Sequence, residues 1–390
     1  MEKGLTFDNI AEVVAAIKYD KLSQRKSLDR TQLDILITTA QRAGSAGNNQ
    51  PWKWYYHQDT LFLFHDKERS FSFANHQNSV AYVAFGLSLE SLRLKAGTMG
   101  LDVNEQLFSD PEHPDLVAAL QFLDLQKSDK ADDLANFVEI RHTSRNIPKE
   151  KKPITKDKID KLVFETEKIE GAKLYVTDSE EHIGVIANVM GAADRLRLFT
   201  PTGHHELFNL ELRWTRSESL ETGDGLDLSS FDLTPGEAVG MRIARDPEVL
   251  TLLKEWKGGT GLEKISKKSA IASAAIGLIT VPAYDSENFI KGGKAAERAW
   301  LAANIAGISL QPMTASILHF NILKYGKELD NDPFLKDQFI ELKTQFFSCF
   351  SEVGPDEVPV FLFRLFYADQ ESIPSARLER EKVFRATKHI

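Results

Sequence analysis

Hydrophobic residues along the chain recur every three to four positions in some stretches and every second position in others, the two signatures of helix and strand. Ile10, Val13, Val14 and Ile17 mark a first helix; Leu33, Ile35, Leu36 and Ala40 mark a second, opening at an Asp29/Thr31 cap region. Trp52, Trp54 and Tyr56 alternate with Lys53 and Tyr55, and Leu61–Phe64 follows after the polar turn His57-Gln58-Asp59-Thr60. That pair predicts a hairpin. From Asn78 to Leu101 a helix is apolar on most sides (Val80, Val83, Phe85, Leu87, Leu89, Leu92, Leu94, Met99), as a buried helix is. Gly86 and Gly97 inside it predict close approach of another helix rather than a break. Leu116–Leu125 reads as a strand, and the charged run Lys127–Asp133 as a linker between two halves.

The second half repeats this alternation. A helix precedes Phe137–Pro148, and a lysine-rich, proline-bounded loop follows it. Ala172–Val176 predicts a strand, His182–Leu198 a helix, Ile271–Pro282 a buried strand, 292–308 a second buried helix and Val358–Phe366 a strand. Phe199 to Ile265 breaks the rhythm: two short helices with long loops fit it, and a loop-rich insertion of that size is often a lid or binding segment. Its Gly258-Gly259-Thr260-Gly261 run lacks the ending of a phosphate loop and reads as a hinge. Residues 86–101 laid over 293–308, a shift of 207, give five identities and one conservative match in sixteen positions, including Gly86 on Gly293 and Glu90 on Glu297. The chain therefore reads as two versions of one unit, fused into an intramolecular pseudo-dimer.

Composition narrows the picture. The 390 residues are 42% hydrophobic and 27% charged, which describes a globular protein with an ordinary core. A net charge of −9 argues against nucleic acid or an anionic membrane as partner. The single cysteine, Cys349, sits between Ser348 and Phe350 and reads as a small buried hydrophobe; it excludes an internal disulfide and a cysteine-based metal site. His204-His205-Glu206 cannot share one helix face and reads as a solvated turn, so no metal is expected. Gly292-Gly293 reads as the start of a buried helix. The N-terminus lacks an apolar signal core and no stretch has the about 20 apolar residues of a membrane span, so a cytoplasmic protein is expected.

One stretch carries candidate chemistry. Gly44-Ser45-Ala46-Gly47 lets backbone approach a flat ligand, and Asn48-Asn49-Gln50 sets three amides in a row before Pro51 and Trp52. Amides both donate and accept, which suits a heterocycle edge; an Asx-rich turn without a ligand is the other reading. Ser45-Ala46-Gly47-Asn48-Asn49-Gln50-Pro51-Trp52 resembles the Ser-x-x-Asn-x-Gln-Pro-Trp loop of the nitroreductase family of FMN enzymes. In that family the loop of one subunit lies against the flavin held mainly by the other. The family's Arg-x-Ser-x-Arg start is absent from the first half and is matched in the second by Arg141-His142-Thr143-Ser144-Arg145, with Thr143 in the serine's place. The second half in turn lacks the amide loop, so one complete site can be assembled from both halves.

The resemblance extends over most of the chain and is closest to the Acg-like branch, with Trp214-Thr215-Arg216 and Asp224-Gly225-Leu226 matching its lid-like insertion. It implies an α+β nitroreductase-like fold, a first unit over 1–130, and a second over 131–390 that includes the 199–265 insertion. It implies FMN, with NADPH or NADH as electron donor, and a small-molecule acceptor. The cofactor-binding residues it implies are Arg141, His142, Thr143 and Arg145 with Ser45, Ala46, Asn48 and Gln50. To these it adds Asn209, Arg213, the Pro312-Met313-Thr314-Ala315 loop, and Arg377 with Arg380 as the neighbouring alternative. No catalytic side chain is implied, because the flavin carries the chemistry. The function expected is hydride transfer from NAD(P)H through FMN to a small acceptor. The alternatives are a flavin-binding or flavin-storing protein whose insertion covers the ring, and a nitroreductase-fold enzyme using flavin for unrelated chemistry such as cofactor fragmentation. The chain is expected to act as a monomeric pseudo-dimer, with further association possible.

Overall fold

A computed structural model of the chain describes residues 5–70, 72, 74–126, 131–256 and 258–387. It is an α+β architecture, as expected. In the first half α1 (Phe7–Val13) and α2 (Arg30–Gln41) precede a hairpin of β1 (Trp52–His57) and β2 (Thr60–His65), then α3 (Ser79–Thr98), β3 (Leu101–Leu107) and β4 (Leu116–Asp124). Asp29 caps α2 in a reciprocal box with Gln32. The hairpin turn is tighter than the sequence indicates: His57 and Thr60 pair, leaving Gln58 and Asp59, both at positive φ, as the turn. β3 is a correction, since its Asp, Asn, Glu and Gln residues hide the strand period. The linker expected over 127–133 falls partly on residues 127–130, outside the described residues.

The second half begins with α4 (Lys156–Glu167), β5 (Lys173–Thr177) and α5 (Glu180–Leu198). The insertion carries α6 (Pro201–His205), β6 (Leu212–Arg213), α7 (Arg216–Thr222), β7 (Leu226–Asp227), α8 (Pro235–Ala244), α9 (Pro247–Glu255) and the start of α10 (Thr260–Ile271). It is thus mostly helical rather than loop-rich, because Thr200, Thr215, Thr234 and Asp246 each cap a helix. Beyond it come β8 (Ala275–Val281), α11 (Ser286–Ile305), β9 (Ser309–Pro312), α12 (Ala315–Tyr325), α13 (Pro333–Ser348), β10 (Val358–Phe366), α14 (Arg380–Val383) and β11 (Phe384–Ala386). Gly292 and Gly293 lie inside α11, not at its start. Cys349 is buried. Among the described residues no helix is long and apolar enough to cross a membrane, and no cluster of metal-ligating side chains occurs.

The strands form a five-stranded sheet in the order β11-β1-β2-β4-β3 and a four-stranded sheet in the order β5-β8-β10-β9. Read as β3-β4-β2-β1 and β9-β10-β8-β5, the two run in the same antiparallel sense at every step. Where β1 and β2 are joined by two residues, β5 and β8 are joined by residues 178–274, which hold α5 to α10. The extra strand β11 comes from the C-terminal segment and pairs parallel with β1, Trp54 opposite Phe384. One buried apolar cluster runs through α3, α11 and strands of both sheets.

At the centre α3 crosses α11. A Cβ on Gly86 would sit 2.8 Å from Gly293 Cα and collide with the Ile290 carbonyl oxygen; a Cβ on Gly293 would collide with the Val83 carbonyl oxygen. The same shift of 207 maps Val83 onto Ile290 and Gly86 onto Gly293, so the two clashes are reciprocal. One turn on, Arg298 Nη1 donates to Glu90 Oε1 at 2.8 Å and Ser91 Oγ donates to Glu297 Oε1 at 2.8 Å. That pair of contacts obeys the same shift. Each contact having its mirror is the pattern of a two-fold interface.

Gly86→Ala and Gly293→Ala are each expected to lower stability by about 3 kcal/mol, as an atom is forced against backbone in a packed interior. Gly97→Ala meets only ordinary contacts at 3.9 Å and is expected to be neutral or to stabilise by up to about 1 kcal/mol through helix propensity. Urea unfolding of the three variants measures both; a Gly86→Ala protein as stable as its parent would contradict the close crossing.

Candidate functional site

The loop after α2 turns by left-handed backbone at Gly47, Asn48 and Gln50, with φ of 59°, 54° and 52°. Those turns send successive side chains to opposite sides. Ser45, Ala46 and Asn49 face a cavity, whereas Asn48 and Gln50 face the chain's C-terminal segment. Asn48 Nδ2 donates to Ala376 O at 3.0 Å, and its Oδ1 accepts from Arg377 Nη1 at 3.2 Å. Gln50 Nε2 donates to Gly223 O at 2.9 Å, and its Oε1 accepts from Leu378 N at 3.0 Å. Both amides are therefore occupied, Gln50 by main chain and Asn48 by main chain and the Arg377 guanidinium. They staple the loop to the insertion and to the C-terminal strap, and do not present a free edge to the cavity. At Gly44 a Cβ would make van der Waals contact with the Trp300 ring at 3.4 Å, so the loop packs beside that indole.

The basic segment divides in the same way. Arg141 is buried, with its guanidinium 4.4 Å above the Trp300 ring, its Nε 3.1 Å from Glu297 and a hydrogen bond to Arg42 O. His142 is exposed, and its carbonyl receives the Trp300 indole N–H at 3.1 Å. Thr143 and Arg145 line the cavity. Arg145 lies 5.1 Å over the Phe231 ring and donates to Ser230 Oγ at 3.2 Å, with no ion-pair partner among the described residues. Burial pulls it down to about 10 against the opposing field of Asp227. A desolvated cation without a counter-charge is costly, and an anionic ligand would relieve it.

Arg377 is placed elsewhere than expected. Its guanidinium donates to the carbonyls of Gln41, Arg42 and Ala376 at 2.7, 2.7 and 2.9 Å. Burial, and then Arg141 and Arg42, pull it down to about 9. It clasps the end of α2 and does not line the cavity. Arg380 pairs with Asp34. Asn209 is exposed and bonds to His205 Nδ1 at 3.1 Å, four residues back at the end of α6. Arg213 pairs with Asp224 at 2.5 Å. Neither Asn209 nor Arg213 lines the cavity. Pro312, Met313, Thr314 and Ala315 all do, where β9 runs into α12, and the buried Ser316 hydroxyl beside them has no hydrogen-bond partner among the described residues.

The insertion roofs this cavity with Leu207, Leu212, Leu226, Phe231, Met241 and Ile265 among others. Its marker residues act as fasteners. Trp214 stacks on Phe208 at 6.1 Å, and Arg216 Nη1 reaches Asp227 at 3.0 Å and Pro374 O at 2.9 Å. Asp224 accepts from Arg213 and from Arg69 Nη2 at 2.5 Å, while Arg69 Nε holds Asn49 O at 2.7 Å. His204 and Glu206 are a correction: they are not on a solvated turn but buried, His204 against Ala244 O and Glu206 against Arg197.

The cavity holds about 420 Å³. One wall is apolar: Val80, Leu87, Met190, Trp300, Met313, Phe361. Hydroxyls and amides also line the cavity, from Ser45, Ser70, Ser72, Asn75 and Ser79 of the first half and Thr143 and Arg145 of the second. A further patch, beneath the insertion, holds Asp194, Arg197, Glu211 and Ser266. Sequence reasoning missed Ser70, Ser72, Ser79, Trp300 and Asp194. It also missed Arg364, a lone charge within the apolar strand Val358–Phe366, and that isolation was the available signal. Arg364 donates to Gln311 Oε1 at 2.7 Å, Ser269 O at 3.1 Å and Asn146 O at 2.7 Å, joining three cavity-bearing segments.

No family model matches the chain. The Mycobacterium tuberculosis protein MT1398 is 29% identical over 366 residues, 90% of this chain and 48% of that protein, so the chain spans about half of that relative's length. The M. tuberculosis protein acg, named as an NAD(P)H nitroreductase, is 26% identical over 317 residues, 76% of this chain and 85% of that protein. Among solved structures, a nitroreductase with bound FMN from Desulfitobacterium hafniense covers 65% of this chain and 97% of itself at 9% identity, with a TM-score of 0.35, too weak a likeness to carry an assignment.

Asp224→Ala would leave Arg69 and Arg213 without their shared carboxylate. It is expected to cost on the order of 2 kcal/mol and to expose the chain around 223–226 to protease, read by urea unfolding and limited proteolysis. Equal protease resistance in variant and parent would show that the insertion is held by other contacts.

Proposed function

We propose that this chain, a member of the nitroreductase family, is an FMN-dependent oxidoreductase that draws hydride from NAD(P)H and delivers it to a small acceptor. The observation that carries this reading is Arg145, a half-buried guanidinium lining the cavity with no ion-pair partner among the described residues. Thr143 and the serines that line the same cavity suit a phosphate and a polyol chain, since hydroxyls and a guanidinium fork match phosphate oxygens. The apolar wall of Trp300, Leu87 and Met313 suits a flat heterocycle. The orphaned Ser316 hydroxyl and the open N–H groups at the start of α12 are further donors for such a ring. FMN, when bound, supplies the hydride chemistry. The chain's own residues bind it, exclude water beneath the insertion and fix its orientation. Arg141, Arg377, Asn48 and Gln50 serve the site through the loop they hold rather than by touching the ligand.

The two halves are read as fused units sharing one complete site. The shift of 207 that aligns α3 with α11 maps the cavity residues Leu87 and Trp300 onto Lys294 and Arg93, and Pro312 onto Glu105. Lys294 pairs with Glu105 at 2.5 Å, and Arg93 with Glu90 at 2.6 Å. Ion pairs stand where the mirror-image cavity would need apolar walls. A second reading, flavin binding with little turnover, draws on the roof of insertion residues over the cavity. Anaerobic mixing of the flavin-loaded chain with NADPH or NADH separates the two: bleaching of the flavin absorbance supports the oxidoreductase, and an unchanged spectrum the binding protein.

Arg145→Ala is expected to weaken FMN binding about ten- to a hundredfold, the loss of one charge-assisted contact. Fluorescence titration with FMN measures it, and unaltered affinity would place the phosphate elsewhere. Flavin extracted from saturated chain is expected at one equivalent per chain; two equivalents would end the single-site reading.

A further inference from the structure

The cavity has two unlike polar regions. Arg145 marks the first, and the charge it feels is that of Asp227. Asp194 on α5 marks the second, and the charges it feels are those of Arg197 and Glu211. Asp194 lines the cavity beneath the insertion, next to Leu198, Leu207 and Ile265. It accepts a hydrogen bond from Ser266 Oγ on α10. The neighbouring cation is already engaged: Arg197 Nη2 pairs with Glu211 at 2.6 Å and Glu206 at 3.3 Å. Asp194 itself has no ion pair among the described residues. From α12, His319 faces the same region, but burial drops its ring to about 4, so at neutral pH it brings no charge. A carboxyl that is enclosed, lacks a cation of its own and sits near a second carboxylate holds its proton more tightly than usual, and burial is the larger cause here.

We propose that Asp194 is the general acid of this site, giving a proton to the acceptor that takes hydride in the same cavity. The proposal rests on the oxidoreductase reading above. For a quinone-type acceptor the step would balance: the cofactor would supply the two electrons and one hydrogen that reduce one quinone oxygen, and the Asp194 carboxyl O–H bond would break to form the O–H bond at the other oxygen. Asp194 is left as carboxylate and is reprotonated from water. The hydroquinone leaves neutral, so no charge is stranded under the apolar roof. A carboxyl whose surroundings favour its acid form is suited to such transfer. Reduction of the flavin by NADPH delivers hydride alone and does not call on this proton.

The test uses the full chain loaded with FMN, reduced anaerobically by NADPH and mixed with 1,4-benzoquinone over a range of pH. In Asp194→Asn, flavin content and spectrum are expected to match the parent, while reoxidation by the quinone slows about a hundredfold and loses its decline with rising pH. Asp194→Glu is expected to recover part of the rate. Infrared titration gives a readout free of turnover: the parent should keep a protonated-carboxyl band at neutral pH that Asp194→Asn lacks. Parent-like reoxidation and pH profile in Asp194→Asn, or a carboxyl already ionised at neutral pH, would overturn the proposal. A chain that takes up no FMN would instead overturn the oxidoreductase reading, and the infrared arm would still decide whether Asp194 holds its proton.

Discussion

The crossing of α3 and α11 at Gly86 and Gly293 sets the distance on which the rest of the structure depends. With no Cβ on either helix, each backbone reaches the other's carbonyls. That closeness brings Arg298 from α11 to Glu90 on α3, and Ser91 on α3 to Glu297 on α11, deep in the interior. Arg298 also reaches Asp132 and Glu165, at 2.7 and 2.5 Å, so the buried carboxylates around it are matched by a guanidinium rather than left bare. It also sets the reach of Trp300, whose indole meets Gly44 on one side and the His142 carbonyl on the other. The amide loop and the basic segment therefore meet at one tryptophan, and the cavity opens where they meet.

From that near-symmetric centre the halves diverge. β1 and β2 are closed by two residues, whereas β5 and β8 carry the whole of α5 to α10 between them. The long connection lays a roof of leucines over one cavity. On the opposite side Lys294 and Glu105 close onto each other. The roof is tied at several points: Asp224 to Arg69, Gly223 to Gln50, Arg216 to the strap at Pro374. These contacts join the insertion to the amide loop and the C-terminal segment, so the three are one mechanical unit. Helices α8 and α9, which bury little beyond Ala244 and Leu250, lie outside that fastening.

The cavity is polar at separated places and apolar between them. Arg145, Thr143 and the serines line it, as do Asp194 and Ser266. Arg364, out of contact with the cavity, holds the segments that carry Asn146, Ser269 and Gln311 in register. Chemistry that moves hydride and proton together would draw on both ends, with the walls keeping water away.

The sequence by itself determined the elements whose signal is local. The apolar helices at 78–101 and 292–308, the hairpin of alternating aromatics, the strand at 358–366 and the glycine at a helix crossing were all legible, because burial on every side and a period of two leave a direct mark on composition. The lining by Ser45, Ala46, Thr143, Arg145 and 312–315 was legible through motif resemblance. Tertiary structure alone decided which way the polar side chains of those motifs point. Asn48, Gln50, Arg141 and Arg377 match a binding pattern, yet each finds its partners in main chain, a buried carboxylate or, for Asn48 and Arg377, each other. Left-handed turns at Asn48 and Gln50 and the return of a strap from the far end of the chain cause this, and neither is visible in residue spacing. Asp194 was invisible for the same reason, one charged residue in an ordinary helix, whereas Arg364 left a mark as the lone charge in an apolar strand but its partners Gln311, Ser269 and Asn146 come from segments distant in sequence.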